Sequence, residues 1–327
     1  MYKVITIGDV VLDTHVKIDN ADIECGIDGK EKKLCLDYAA KIPISDSWQS
    51  LGGNAANVAV GLTKLGFETA VLSSVGYDTN GHYVVTELSK RKVDTHLISA
   101  DKQNKTRYSI ILNYQGERTI LSYHKKREYF WPKKFPHTEW IYYTSLSDGF
   151  APLQDKLLEY LKKHASVGLA FNPGTFQIKY SLKLLREILH RTDILILNLE
   201  EAEIISGITL GKAKSVGGII NRLLQTGAHE VVVTDADKGA WAGNNEMVLH
   251  ADAYPVKVVA KTGAGDAFSA GYLSARIHGH GIGVALTWGI ANSSSVISQY
   301  GSHDGLSDKS GLKKMMARYK NIIPTKA

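Results

Sequence analysis

Lys261-Thr262-Gly263-Ala264-Gly265-Asp266-Ala267-Phe268 decides how this chain is read: two glycines one residue apart are followed at once by an acid and an apolar, helix-forming run. Glycine lets the backbone turn tightly and come close to a ligand, and the helix that follows points its unpaired N–H groups at whatever sits in the turn. The stretch therefore predicts an anion site. Asp266 in the first helical turn suits the helix dipole, and a carboxylate beside a phosphate cradle has a second use, accepting a proton from the hydroxyl that attacks phosphorus. On these residues alone, a glycine-capped loop with a helix-stabilising Asp is the plainer alternative.

Working outward, Lys3 to Ile7 is a short apolar run ending at Gly8-Asp9, a buried first strand with a ligand-side turn after it. Asp13 lies just beyond, at the edge where an open parallel sheet takes its ligands, and is a candidate for gripping hydroxyl groups; a turn-forming Asp bonded to its own backbone is the alternative. From Thr14 to Ser50, alternating runs (His15 to Ile18, Leu34 to Tyr38) are broken by Asp28-Gly29 and Pro43. This reads as a small antiparallel excursion, with Asp28-Gly29 a hairpin turn, standing off the main sheet as a lid that keeps water from a phosphoryl donor. Thr106 to Asn113 and Thr119 to Tyr123 alternate around Gln115-Gly116, a second hairpin that completes the lid. The basic run Lys125, Lys126 and Arg127 at the lid's base either holds a phosphate already on the substrate or is a solvated face.

Between the two lid segments, Gly52-Gly53 leads into an Ala-rich helix. Asn54 and Asn57, three apart on one face of its first turn, are neutral hydrogen-bond partners for a polyol. A cap at Asn54 and a structural amide at Asn57 are the alternative. After Pro136, strands at Trp140 to Tyr143, Val167 to Phe171, Ile194 to Leu197 and Glu230 to Thr234 alternate with helices, which predicts parallel βαβ units. Asn198 and Glu201 follow a strand at the same carboxyl edge, where an amide and a carboxylate can orient phosphate oxygens and the waters around Mg²⁺. Their spacing is also that of a capping box. Gly265 to His278 and Ile282 to Ser298 read as two helices rich in small residues, with Asn292 on the second.

The 327 residues, 44% apolar and 22% charged, can bury a sizeable core without a staple. No apolar run approaches the roughly 18 residues of a membrane helix, and the amino terminus lacks a signal peptide's pattern, so a cytoplasmic protein with no membrane partner is expected. Cys25 and Cys35 are expected as reduced thiols. The net charge of +6 comes from short, scattered clusters such as Lys30, Lys32 and Lys33, which argues against a nucleic-acid partner. GxxxxGK phosphate loops, GxSxG elbows and HExxH are absent, which removes the commonest ATPase, hydrolase and metalloprotease readings.

Taken together, Gly8-Asp9 with Asp13, Gly52-Gly53-Asn54-Ala55-Ala56-Asn57, the pair Asn198 and Glu201, Val231 to Thr234, and Thr262 to Phe268 resemble, in their order, the ribokinase-like (pfkB-type) carbohydrate kinase family over nearly the whole chain. The resemblance implies a three-layer α/β/α sandwich around a mostly parallel central sheet, with a small β-sheet lid. Residues 1–13, 51–103 and 124–327 would form the main domain, and 14–50 and 104–123 the lid. It implies ATP-dependent transfer of the γ-phosphate to a hydroxyl of a small carbohydrate, with a nucleoside or phosphosugar as the alternative acceptor. A non-catalytic ligand-binding relative is the alternative from another class.

By the same resemblance Asp266 is the catalytic base, and the amides of Gly263, Ala264 and Gly265 form the hole for the transferring phosphoryl group. Asp13, Gly52, Gly53, Asn54 and Asn57 are sugar-side contacts. Asn198, Thr234, Gly239, Lys261 and Asn292 lie toward ATP, and Glu201 acts on Mg²⁺ through water. The lid would also join a homodimer. Three departures from the family's pattern stand out, at four positions. Ala260 and Lys261 stand where it places an acid and a small hydroxylated residue, so no monovalent-cation site is implied and Lys261 can supply positive charge instead. Ala236 stands where glycine is common. Val11 replaces the amide of ribokinases proper, so ribose itself is not implied.

Overall fold

The computed structural model describes residues 1–25, 32–123, 125–299 and 301–327. The expected Asp28-Gly29 turn, with Lys30 and His124, lies outside the described residues. The first half of the chain runs β1 (Tyr2–Ile7), β2 (Val11–Ile18), β3 (Asp22–Cys25), β4 (Lys32–Cys35), β5 (Ile44–Gly52), α1 (Asn54–Lys64), β6 (Thr69–Gly76), α2 (Thr79–Lys90), β7 (Ile98–Asp101), β8 (Tyr108–Tyr114) and β9 (Glu117–Tyr123). Then follow β10 (Thr138–Thr144), α3 (Ala151–Lys163), β11 (Gly168–Asn172), α4 (Thr175–Tyr180), α5 (Leu182–Leu189), β12 (Ile194–Asn198), α6 (Leu199–Ser206), α7 (Leu210–Ala213), α8 (Val216–Leu224) and β13 (Glu230–Thr234). The chain closes with β14 (Ala240–Gly243), β15 (Val248–Ala251), α9 (Ala264–Ile277), α10 (Ile282–Ile297), α11 (Lys309–Arg318) and β16 (Thr325–Lys326).

Ten strands form the central sheet in the order β16-β15-β14-β13-β12-β11-β10-β1-β6-β7. From β13 through β1 to β7 the pairings are parallel, and only β14, β15 and β16 add antiparallel strands at one edge. Parallel strands covered on both faces read as continuous apolar runs, and β1 shows why: Val4 and Ile5 point to opposite faces and both are fully buried. Ile5 and Ile7 belong to one apolar cluster that runs across that face and includes Leu153 and Leu157 of α3 and Ile219 and Leu223 of α8. Val4 belongs to the cluster on the other side, which includes Val58 and Leu62 of α1, Tyr272 of α9 and Leu286 of α10. These are the three layers that the family resemblance implies. The chain leaves β1 for β6 on one side and returns to β10 on the other, so the sheet reverses direction beside β1, where open α/β sheets leave a crevice at the carboxyl ends.

A separate four-stranded sheet, β5-β2-β8-β9, stands off this body. Gln115 and Gly116, both with positive φ (49° and 81°), make the tight turn between β8 and β9 that right-handed strand twist favours. Asp13 differs from expectation in its element: it is not in a turn after β1 but inside β2, opposite Ser50 of β5 and Ser109 of β8. The expected strand from Leu34 to Tyr38 stops at Cys35, where β4 runs out of β3 to pair with, and Tyr38 is fully exposed. The same register puts Cys35 opposite Asp22 and Cys25 opposite Lys32, and Cys35 is a free thiol.

Candidate active site

Two helices begin at the site without a side-chain cap. The entry to α1 is Gly53, with φ 92°, and a Cβ there would lie 2.5 Å from the Asp9 carbonyl oxygen. The entry to α9 is Gly263, with φ 78°, where a Cβ would lie 2.6 Å from that of Ser302. Only glycine takes both the left-handed conformation and the close approach. The helices then cross tightly, since Gly61 of α1 leaves 2.7 Å between an added Cβ and Ala270 of α9.

That crossing joins their first turns. Asn57 Nδ2 donates to Asp266 Oδ2 at 2.7 Å, across 209 residues of chain. The other end of the amide, Oδ1, accepts from Ser302 Oγ at 3.4 Å. Asn57 is thus buried and held at both ends, which makes it a support for Asp266 rather than the open polyol partner its sequence position suggests. Burial penalises the Asp266 carboxylate more than the Asn57 hydrogen bond favours it, and its pKa is raised to about 7. A carboxyl group poised near neutrality is suited to taking and releasing a proton.

The expected anion hole is an uncapped helix start. Asp266 lies in the first turn of α9, and Ala264 N makes only a long, 3.5 Å turn contact with Lys261 O. A Cβ at Gly265 would meet nothing within 4 Å, so the face of the loop is open to a ligand there. An open face of backbone N–H groups at a helix start fits the phosphate groups of a nucleotide.

Asp13 lies against Gly52, where an added Cβ would sit 2.1 Å from its Oδ2. Burial raises the Asp13 pKa, while the Ser109 hydroxyl and the Arg118 guanidinium oppose the rise. Asn54 is the first residue of α1 rather than its cap. The lid meets the anion loop directly: Lys261 Nζ lies 3.3 Å from Glu117 Oε1, and Arg118 Nη1 donates to Thr262 Oγ1.

Asn198 and Thr234 stand side by side at the carboxyl ends of β12 and β13. The capping box at α6 is realised: Asn198 Oδ1 accepts from Glu201 N at 2.8 Å, and Glu201 Oε2 accepts from Asn198 N at 3.0 Å. Burial raises the Glu201 carboxyl's pKa. Burial raises the Tyr142 pKa, and the Asp266 and Glu201 carboxylates add to the rise. Gly239 has φ 85° and an added Cβ would lie 2.0 Å from the Ala251 carbonyl oxygen, a local reason for glycine at that turn. Ala236, with φ 43°, holds a left-handed conformation in which glycine carries no steric penalty.

Two expected ligand residues have partners within the protein. Asn292, expected toward ATP, is fully buried, its Nδ2 donates to Ala267 O at 2.8 Å, and its Oδ1 accepts from Ser307 N at 3.0 Å. Arg127 is not a phosphate ligand at the lid base. It is buried, donating to Ser74 O at 2.6 Å and also to Lys105 O, and only Lys125 and Lys126 of that run are exposed. Gly8-Asp9 likewise leads inward: Asp9 pairs with Arg107 and accepts from Tyr129 Oη at 2.7 Å, pinning the roots of the lid. Sequence reasoning missed Arg118 and Ser302, whose roles depend on contacts between distant parts of the chain. The one local signal for Arg118 was its alternation with Ile120 and Ser122, which puts it on the face that carries Ser109 and Asp13.

Comparison with known proteins bears on the family and the fold. The pfkB family carbohydrate kinase model matches residues 16–309. The 5-dehydro-2-deoxygluconokinase of Bacillus subtilis (strain 168) is 25% identical over 279 residues, which are 78% of this chain and 83% of that protein. The fructokinase of Klebsiella pneumoniae is 30% identical over 247 residues, 72% of this chain and 79% of its own. Among solved structures, the nucleoside kinase of Methanocaldococcus jannaschii superposes with a TM-score of 0.75 at 23% identity, covering 97% of this chain and 98% of that one. The Arabidopsis thaliana ribokinase complexed with ribose and ATP gives 0.78 at 18% identity, covering 96% and 98%. At these identities the two structures speak for the fold.

Proposed function

The chain belongs to the pfkB family of carbohydrate kinases, and from that premise we propose that it transfers the γ-phosphate of ATP to a hydroxyl of a small sugar held between the lid and the junction of α1 and α9. The observation that carries the reading is the contact of Asn57 with Asp266 at the uncapped start of α9. Asp266 takes the proton of the acceptor hydroxyl, the acceptor oxygen forms its bond to phosphorus, and the bond from phosphorus to the ADP oxygen breaks with its electron pair. The free N–H groups around Gly263 to Gly265 receive the charge on the phosphoryl oxygens. Asp13, beside Gly52 and Gly53, orients the acceptor's hydroxyls.

Asn198 and Thr234, with the turn at Gly239, form the nucleotide side, and Lys261 adds positive charge to the loop. Bound Mg²⁺ supplies neutralisation of phosphate charge, and Glu201 would hold it through water. The same reading places the protein in the cytoplasm as a homodimer joined through the lid, where Ile44, Ile120 and Leu121 are about half exposed. For the phosphosugar alternative, Lys125 and Lys126 remain exposed, while Arg127 is spent on backbone carbonyls.

A coupled assay of ADP formation across neutral sugars, sugar acids, nucleosides and sugar phosphates tests the proposal. Turnover of a sugar or sugar acid is expected. Melting stabilised by such compounds, without ADP formation from any of them, would instead identify a non-catalytic relative.

A further inference from the structure

The guanidinium of Arg118 makes one hydrogen bond among the described residues, to Thr262 Oγ1, although it carries five N–H donors. It comes from the lid, at the start of β9, and reaches a residue 144 positions away that directly precedes Gly263. Its charge also acts on Asp13 and, second to burial, helps disfavour protonation of His15, which stacks on Trp48 with centroids 4.8 Å apart. Arg118 therefore bonds to the loop assigned to the phosphoryl group while sharing a sheet face with the lid carboxylate assigned to the acceptor. The neighbouring pair Glu117 and Lys261 is likewise exposed and joins the same two segments.

We propose that Arg118 is a catalytic residue of the lid, donating to the oxygens of the phosphoryl group in transit while Thr262 keeps its guanidinium in register with the Gly263 to Gly265 amides. This inference rests on the kinase reading. An uncharged acceptor hydroxyl has little to offer a fixed guanidinium beyond what Thr262 already gives. A phosphoryl group that carries negative charge between two oxygens matches its fork of donors. Because the donor group rides on the lid, the charge-stabilising set is complete only when the lid meets the anion loop. Arg118 keeps its own proton throughout, and the hydroxyl proton still goes to Asp266.

The test compares wild type with Arg118→Gln, Arg118→Lys and Glu117→Gln. Arg118→Gln is expected to lower kcat by roughly 10²- to 10³-fold, the range seen when one oxyanion donor is removed, with KM for a neutral acceptor little changed. Arg118→Lys should recover part of the loss, and Glu117→Gln should retain most of the turnover. Calorimetry supplies a readout apart from turnover: ADP with aluminium fluoride and acceptor should bind Arg118→Gln far more weakly than wild type, while ADP alone binds both equally. A raised acceptor KM at unchanged kcat would overturn the proposal in favour of an anionic group on the acceptor. Equal losses in Glu117→Gln and Arg118→Gln would overturn it in favour of a lid latch. Wild type that neither turns over nor binds ADP would instead count against the kinase reading itself.

Discussion

The entrances of α9 and α6 face the same carboxyl edge of the sheet and solve the same problem in opposite ways. Both helices start with N–H groups that lack helical partners. At α6, Asn198 and Glu201 satisfy each other's backbone in a closed box. At α9, Gly263 offers no side chain, the loop face at Gly265 is open, and the acid of the first turn is held by Asn57 from another helix. The contrast teaches that a helix end supported from within can tune a ligand from its flank, whereas an end left unsatisfied, and supported by its neighbour, is built to receive one.

The sharpest way to break that contrast is Asp266→Asn. Turnover should fall by roughly two to four orders of magnitude, in line with the loss of a positioned base, in a protein that still folds; near-normal turnover would refute the role. Next come the two loop glycines, which should separate from one another. Gly265→Ala adds a methyl that touches no protein atom, so stability should hold or rise by up to about 1 kcal/mol, while turnover drops roughly a hundredfold as the pocket is displaced. Gly263→Ala must hold φ 78° with a Cβ against Ser302, and should lose on the order of 2 kcal/mol of stability. Chemical denaturation with parallel assays would read both. The smallest effect belongs to α6: Asn198→Ala removes a cap and should lower stability by about 1 kcal/mol. If it instead removed turnover as completely as Gly265→Ala, the two helix entrances would not be different in kind.

Much of this was legible in the sequence because the signals are local. Glycines with an acid at fixed offsets announce a helix start, and Glu230 to Thr234 shows as an apolar run with the bounds the structure gives it. Function carried by pairing across the chain was not legible. Asn57 and Asn292 read alike as helix amides, yet one turns to Asp266 and the other is sealed between Ala267 and Ser307. Arg127 reads as the third member of an exposed basic run, and only the folded chain brings carbonyls of Ser74 and Lys105 to its guanidinium. Arg118 gains its place from the pairing of β2 with β8, which no hairpin turn specifies.

Because the Asp266 pKa is raised, the folded protein holds a proton there that the unfolded chain has released between its ordinary value and about 7. Stability from this group is therefore present below the unfolded pKa and declines as pH rises toward 7. Asp266→Asn should melt above wild type at pH 8, with the gap closing near pH 4.

The same ionisation gives the most direct test of the account, the pH dependence of kcat/KM for wild type between pH 5 and 8.5. A limb rising with pH and centred near 7 is predicted, as the carboxyl loses its proton and becomes able to accept one. A rate that is flat across this range, or a limb near the ordinary carboxylate value of about 4, would contradict a partly buried, Asn57-supported base at the mouth of α9.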